Sequence, residues 1–287
     1  MPARKEPKKP HSKAGPQPDS HGDLPPPAPK RAYTEKTPGP APWHMYRCEN
    51  EELVRAVGDG VEMHYNVKKH GRGSGAAFFA NPFESLPADS ATLRYEVFIP
   101  ENFDFVICGK FPGLGFGRTK GEHSSGGDWS EHSGSFRLMW QKPEGKEALV
   151  KGYLYLAIPG GPKKAKAWDV QGGGVQRALE WDDRTGYSLN YRKEGVFRVR
   201  KGQWNSVEMS MTLNTPGKQD GFISTTVNGV TRAYDDVVFR TDAAVRIQDV
   251  YWVSIFGGQG AEFSPKADVP TTFRRIAFSA FSAFSAT

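Results

Sequence analysis

Residues 135–141 read S-F-R-L-M-W-Q and residues 151–159 read K-G-Y-L-Y-L-A-I-P. Successive side chains of a strand point to opposite faces of its sheet, so each segment divides into two rows. In the first, Phe136, Leu138 and Trp140 form an apolar row, with Ser135, Arg137 and Met139 opposite. In the second, Leu154 and Leu156 share one face, while Lys151, Tyr153 and Tyr155 share the other. The connection P-E-G-K-E at 143–147 is polar and contains glycine, which predicts an antiparallel pair with both apolar rows on one core. Ser135, Arg137, Tyr153 and Tyr155 then lie side by side on the opposite surface. An arginine, a serine and two tyrosines make a poor core and a good site.

Working outward, the chain reads as β almost throughout from Trp43. Upstream, C-G-K-F-P-G-L-G-F-G at 108–117 leads into a long polar loop, Arg118 to Gly134. Leu93, Tyr95, Val97 and Ile99 alternate with Thr92, Arg94, Glu96 and Phe98 and end at Pro100, a clean strand. Phe105 to Lys110 is a second, which F-P-G is expected to stop. Further strands are expected at Val196 to Val199, from Trp204 with Val207, Met209, Met211 and Leu213 inward, at Phe222 to Val227, at Asp249 to Phe256 and at Thr272 to Phe278. Asn228-Gly229 is a strong hairpin signal. Only E-N-E-E-L-V-R-A-V at 49–57 resembles a turn or two of helix. Many short strands with turn chemistry between them predict an all-β jelly-roll β-sandwich, a single domain over about residues 44–281.

The formal charge of +6 suggests nucleic acid until it is located. Residues 1–43 hold 8 Lys or Arg against 4 Asp or Glu, a surplus of +4, so the remaining chain carries only +2. The body is therefore not a nucleic-acid domain, although a few cations gathered on one surface suit an anionic ligand. The same 43 residues contain 12 of the 22 prolines and almost no aliphatic side chains. Such a segment cannot bury enough apolar surface to offset its ordering entropy and is expected to be a disordered tail of polyproline II character. Residues 282–287, within the repeated F-S-A, are expected to fray. No secretory signal or membrane span is legible, so a soluble monomer without a membrane partner is expected. Cys48 and Cys108 stand 60 residues apart in no metal-ligand pattern and are expected as buried thiols rather than a disulfide.

The assembled motifs resemble family 14 polysaccharide lyases, the family of alginate and glucuronan lyases from chlorella viruses and marine molluscs. The matching pieces are G-K-F-P-G-L at 109–114, S-F-R-L-M-W at 135–140, G-Y-L-Y at 152–155, L-N-T-P-G with D-G and V-N-G between 213 and 229, and I-F-G-G at 255–258. The resemblance implies a substrate cleft on the concave sheet of the sandwich and cleavage of 4-linked uronic-acid polymers by β-elimination. It also implies catalytic roles for Lys110, Ser135, Arg137, Tyr153 and Tyr155. Gln141 stands where a basic residue is expected after the Met-Trp pair, and the 118–134 loop is long. Both departures bear on substrate choice. An anionic polysaccharide is the expected partner, met outside the cell or in a cell wall. No cofactor is expected.

The residues themselves fit that chemistry. β-Elimination removes a weakly acidic proton beside a carboxylate, stabilises the resulting enediolate-like charge and protonates the departing glycosidic oxygen. Arg137 and Lys110 can neutralise the carboxylate. A tyrosine activated by those cations can take the proton, and as a phenol it can return one to the leaving oxygen. Which tyrosine does which stays open. Trp129, Gln141, Lys151 and Trp168 are candidate substrate contacts. Glu122, His123, Asp128, Glu131 and His132 are metal-ligand types without the spacing of a zinc or calcium site, so no metal is expected and the loop reads as a substrate-facing flap or plain surface. Two other classes remain: a lectin stacking sugars on Trp129, Trp168 and Trp181, and a hydrolase, for which Glu180, Asp182 and Asp183 crowd together in an expected loop. Arg137 also has a purely structural alternative, an ion pair with Glu208 or another carboxylate.

Overall fold

The computed structural model describes residues 43–126, 130–143, 145–159, 171, 176–177, 179–182, 188–191 and 196–282. The expected tail through residue 42, the last five residues, Trp129 and Trp168 lie outside them.

Two antiparallel sheets pack face to face as an all-β sandwich. The nine-stranded sheet runs Met45–Glu49 (β1), Ala76–Ala80 (β4), Arg246–Phe256 (β15), Cys108–Gly117 (β6), Ser133–Gln141 (β7), Leu149–Tyr155 (β8), Ser188–Tyr191 (β10) and Leu179–Asp182 (β9), with Phe197–Arg198 (β11) also on β8. The seven-stranded sheet runs Val230–Val237 (β14), Gly221–Val227 (β13), Gln203–Thr212 (β12), Ser90–Ile99 (β5), Thr271–Phe281 (β16), Gly60–Met63 (β3) and Val54–Val57 (β2).

The core lies between the sheets and is filled by the apolar rows that alternation marks. Leu93, Tyr95, Val97 and Ile99 of β5 and Val207, Met209 and Met211 of β12 face Phe136, Leu138 and Trp140 of β7 across it. Trp140 is fully enclosed and donates its indole N–H to the Phe105 carbonyl at 3.1 Å, which satisfies the one polar atom it buries. Trp43, assigned to the tail by composition, packs edge-on to Trp252 at 5.6 Å and belongs to this core.

Four expectations need correction. The helix-like 49–57 is a 3-10 turn at Glu51–Leu53 followed by β2, because pairing with β3 outweighs the helical propensity of the acidic run. F-P-G does not stop a strand: β6 begins at Cys108 and continues to Gly117, with a register slip between Phe111 and Gly113 that absorbs Pro112 as an extra residue. A bulge is where a sheet tolerates a missing N–H donor. Glu180 and Asp182 lie on a strand, β9, rather than in a loop. The thiols of Cys48 and Cys108 form no disulfide but are only half-buried.

The two sheets differ in how far alternation survives. Along β5 every second residue is buried, whereas β7 and β8 are buried almost throughout. The outward face of the nine-stranded sheet is thus enclosed as well, and it carries the site.

Candidate active site

The sheet register builds the site in rows that cross the strands. Tyr251, Gly113, Arg137 and Tyr153 are successive partners on β15, β6, β7 and β8. Asp249, Gly115, Ser135 and Tyr155 form the next row. On the other side, Ile255, Lys110, Met139 and Lys151 form a third.

Gly113 is what lets the middle row close up. A Cβ there would come within 2.0 Å of the Phe136 carbonyl oxygen and 2.6 Å of the Arg137 Cα, so no side chain fits. Over the bare backbone the Arg137 guanidinium stands 4.9 Å from the Tyr251 ring centre, and it is 5.3 Å from Tyr153 and 5.9 Å from Tyr155. Lys110 adds a second cation, its ammonium 4.1 Å from the Tyr153 ring centre. The hydroxyls of Tyr153 and Tyr155 are 2.8 Å apart, one donating to the other. Two phenols in one hydrogen bond, with two cations against their rings, can pass a proton and meet negative charge as it develops.

Arg137 is only 1% exposed, and its Nε and Nη2 have no hydrogen-bond partner among the described residues. These two nitrogens form the side-on edge of the guanidinium, the edge that grips a carboxylate bidentately. A buried donor without a partner costs about 1–3 kcal/mol, more when it is charged. Glu208, the structural partner considered for Arg137, instead pairs with Arg94 on the other sheet at 2.5 Å.

The Ser135 hydroxyl donates at 2.8 Å to the Ser124 carbonyl, so its hydrogen is committed to the 118–126 segment. That segment is bound to the sheet at several points. Ser124 donates to the Ser133 carbonyl at 2.9 Å, and Arg72 donates to the Ser125 hydroxyl at 3.2 Å. The Gly121 N–H donates to Asp249 at 3.0 Å, and the Tyr46 phenol donates to the same carboxylate. Burial pushes the Asp249 carboxyl up from 3.8 to about 7, against the lowering effect of the Gly121 N–H.

His123 rides on this segment and packs on Phe79 and Tyr251, with ring centres 4.6 and 4.4 Å away. Its Nδ1 lies 3.1 Å from the Gly121 carbonyl oxygen. A carbonyl only accepts, so Nδ1 carries the hydrogen and Nε2 is an acceptor. Burial lowers the imidazole from 6.5 to about 3, against the raising effect of the Gly121 carbonyl, and Arg137, Arg72 and Arg47 lower it further. The ring is neutral, and Nε2 is buried without a partner among the described residues.

Lys110, Ser135, Arg137, Tyr153 and Tyr155 thus come together on one face. Lys151 lies beside them and forms an ion pair with Glu180 at 3.9 Å. Gln141 stands at the end of β7, one step beyond Met139. Sequence reasoning missed Tyr251, Asp249 and Phe79, and it placed His123 in a substrate-facing flap or plain surface loop without giving it a role of its own. Alternation in D-V-Y-W-V-S-I-F at 249–256 sets Asp249 and Tyr251 opposite Trp252, but a strand buried on both faces gives no signal of which row is the site. Among the described residues no cluster of His, Cys, Asp and Glu could hold a metal ion. A cavity of about 740 Å³ near Phe103, Phe197, Lys142 and Arg198 is lined by none of the five residues.

The two-sheet sandwich fold is shared with solved alginate lyases. The chain superposes on alginate lyase vAL-1 from Chlorella virus with a TM-score of 0.64 at 20% identity, covering 84% of this chain and 94% of that one. It superposes on the PL-14 alginate lyase from Aplysia kurodai with a TM-score of 0.65 at 23% identity, covering 82% and 90%. The sequence profile of Polysaccharide lyase 14 matches residues 60–276, and the chain belongs to polysaccharide lyase family 14. It is also 27% identical over 188 residues to Exolysin of Paramecium bursaria Chlorella virus 1, covering 60% of this chain but only 26% of that protein. The chain therefore spans about a quarter of the length of that curated relative.

Proposed function

We propose that this protein cleaves 4-linked uronic-acid polymers by β-elimination, leaving an unsaturated uronate at the new end. The observation that carries the reading is the Nε and Nη2 edge of Arg137, without a partner among the described residues, beside the hydrogen-bonded tyrosine pair. That edge receives the carboxylate of the uronate being cleaved, and Lys110 adds a second positive charge where the enediolate forms. One tyrosine, as the phenolate, takes the C5 proton and becomes a phenol, the C5–H electrons become the C4–C5 double bond, and the C4–O bond breaks as the departing oxygen gains a proton from a phenol. Ser135 keeps the 118–126 segment on the sheet through the Ser124 carbonyl and acts by positioning. Alginate is the first polymer to assay, since both superposed enzymes are named alginate lyases. Polyglucuronate is the second.

Incubation with each polymer, followed for ultraviolet absorbance of the unsaturated product and for reducing ends, tests the proposal. Both signals together are expected. Reducing ends without absorbance would mean hydrolysis, and binding without either would mean a lectin. A neutral glucan should be inert, and rates on the anionic polymers should fall as salt rises.

A further inference from the structure

The orphaned atoms on the site face have complementary hydrogen-bonding roles. Arg137 offers two donors, Nε and Nη2, and His123 offers one acceptor, Nε2. Both side chains lie against the same ring, Tyr251, with the guanidinium carbon 4.9 Å and the imidazole 4.4 Å from its centre. No described hydrogen bond joins them, so neither satisfies the other. A ligand that satisfies both must accept twice at one end and donate at the other. A sugar bearing a carboxylate and a free ring hydroxyl does this. A carboxylate alone does not.

We propose that His123 is a specificity-determining residue that accepts a hydrogen bond from a free ring hydroxyl of the uronate whose carboxylate sits on Arg137, so that the site selects against O-acetylated polymer. The inference rests on the lyase reading and deepens it. Three features hold His123 to this role. The Gly121 carbonyl fixes the tautomer that leaves Nε2 as an acceptor. Burial and three nearby arginines push the imidazole down to about 3, so the ring is neutral near pH 7 and is a poor general base. Packing against the stacked rings of Phe79 and Tyr251, on a segment tied down through Gly121, Ser124 and Ser125, fixes the direction of the lone pair. An acetyl ester replaces the hydroxyl hydrogen and leaves Nε2 unpaired. A site that loses a buried hydrogen bond in this way discriminates more strongly than one that merely loses apolar contact.

The test compares kcat/KM on one alginate before and after chemical O-acetylation, using the full chain and the variants His123→Phe and His123→Gln, with melting curves to establish folding. Wild type should prefer the unacetylated polymer by about 10-fold or more, the discrimination of one lost hydrogen bond. His123→Phe keeps the bulk without the acceptor, so it should lose rate on the unacetylated polymer, mainly through KM, and the preference should shrink to within about 3-fold. His123→Gln restores an acceptor and should recover part of it. Equal turnover of both polymers by wild type overturns the inference whatever the variants do. So does a His123→Phe protein that keeps the wild-type preference, since bulk alone would then explain it. A wild-type protein inert on both polymers, and on polyglucuronate, sinks the lyase reading and this inference with it.

Discussion

The two sheets turn outward faces of opposite character to their surroundings. On the seven-stranded sheet, polar side chains satisfy one another across the strands: Ser90 with Thr212 at 2.9 Å, Thr92 with Ser210 at 2.8 Å, and Arg274 with Glu96 at 2.8 Å. These side chains are half-exposed and neutral in sum. On the nine-stranded sheet, Arg137 and His123 are enclosed and keep polar atoms without partners among the described residues, and the nearest carboxyl group in the row structure, Asp249, is spent on Tyr46 and Gly121. A surface built for stability pairs its groups. A surface built for a ligand leaves them waiting, at a cost the rest of the fold must carry.

The largest expected effect that would break this contrast is on the phenols. Tyr153→Phe and Tyr155→Phe each remove one hydroxyl and keep the ring, so stability should change by roughly 1 kcal/mol. At least one of them should lose on the order of 100- to 10,000-fold in kcat, the range for a group that transfers a proton in the transition state. If both stay within about 10-fold of wild type in steady-state assays, proton transfer passes to Lys110.

Next in size are the arginines of the two faces. Arg137→Met should lose on the order of 100-fold or more in kcat/KM, the scale of a transition-state charge contact. Its melting temperature should hold or rise, because a desolvated cation without a carboxylate partner among the described residues is replaced by an apolar side chain of similar length. Arg94→Ala, on the other face, should leave turnover unchanged and cost no more than about 1 kcal/mol, the range for an exposed ion pair. A large activity loss in Arg94→Ala would erase the distinction between the faces.

A smaller effect follows from Asp249. Its folded pKa, about 7, lies above the ordinary 3.8, so the folded state holds the proton more tightly than the unfolded one. Stability from this group is therefore fully present below about pH 4 and is lost as pH rises toward 7. Asp249→Asn does not titrate. Denaturant midpoints measured from pH 4 to 8 should show the variant gaining on wild type through that window and running parallel above it. Parallel curves throughout would mean that the Tyr46 and Gly121 hydrogen bonds fully offset burial. The smallest expected change is from deleting residues 1–40, whose composition offers little to a core, so the melting temperature should stay within a few degrees.

How much of this was legible depended on whether a residue's place is set by its neighbours in sequence. The rows of β5, β7, β8 and β12 could be read because one apolar face against one polar face leaves a period of two. Lys110, Ser135, Arg137 and the two tyrosines could be gathered because they lie on adjacent strands joined by short connections or bound together by motif order. His123 could not. It sits in a loop, and only long-range packing on Phe79 and Tyr251 gives it a direction. Glu180 was misplaced because short strands at the edge of a sheet have too few residues to establish a period. Pro112 misled for a sound reason, since a proline in a central strand is an argument against that strand unless a bulge takes it.

That bulge has a consequence for the chain as a numbered string. Lys110 is at an even position and Gly113 and Gly115 are at odd ones, yet all three belong to rows on the site face, while Phe111 and Leu114 belong to the core. The parity of inside and outside therefore changes at Pro112, whose carbonyl is held by the Tyr95 hydroxyl at 3.3 Å. What position 112 contributes is a count of one. Pro112→Ala should leave the bulge and an active enzyme, and deleting the residue should remove the bulge while Lys110, Gly113 and Gly115 still alternate with Phe111 and Leu114, the first three toward the site and the other two toward the core.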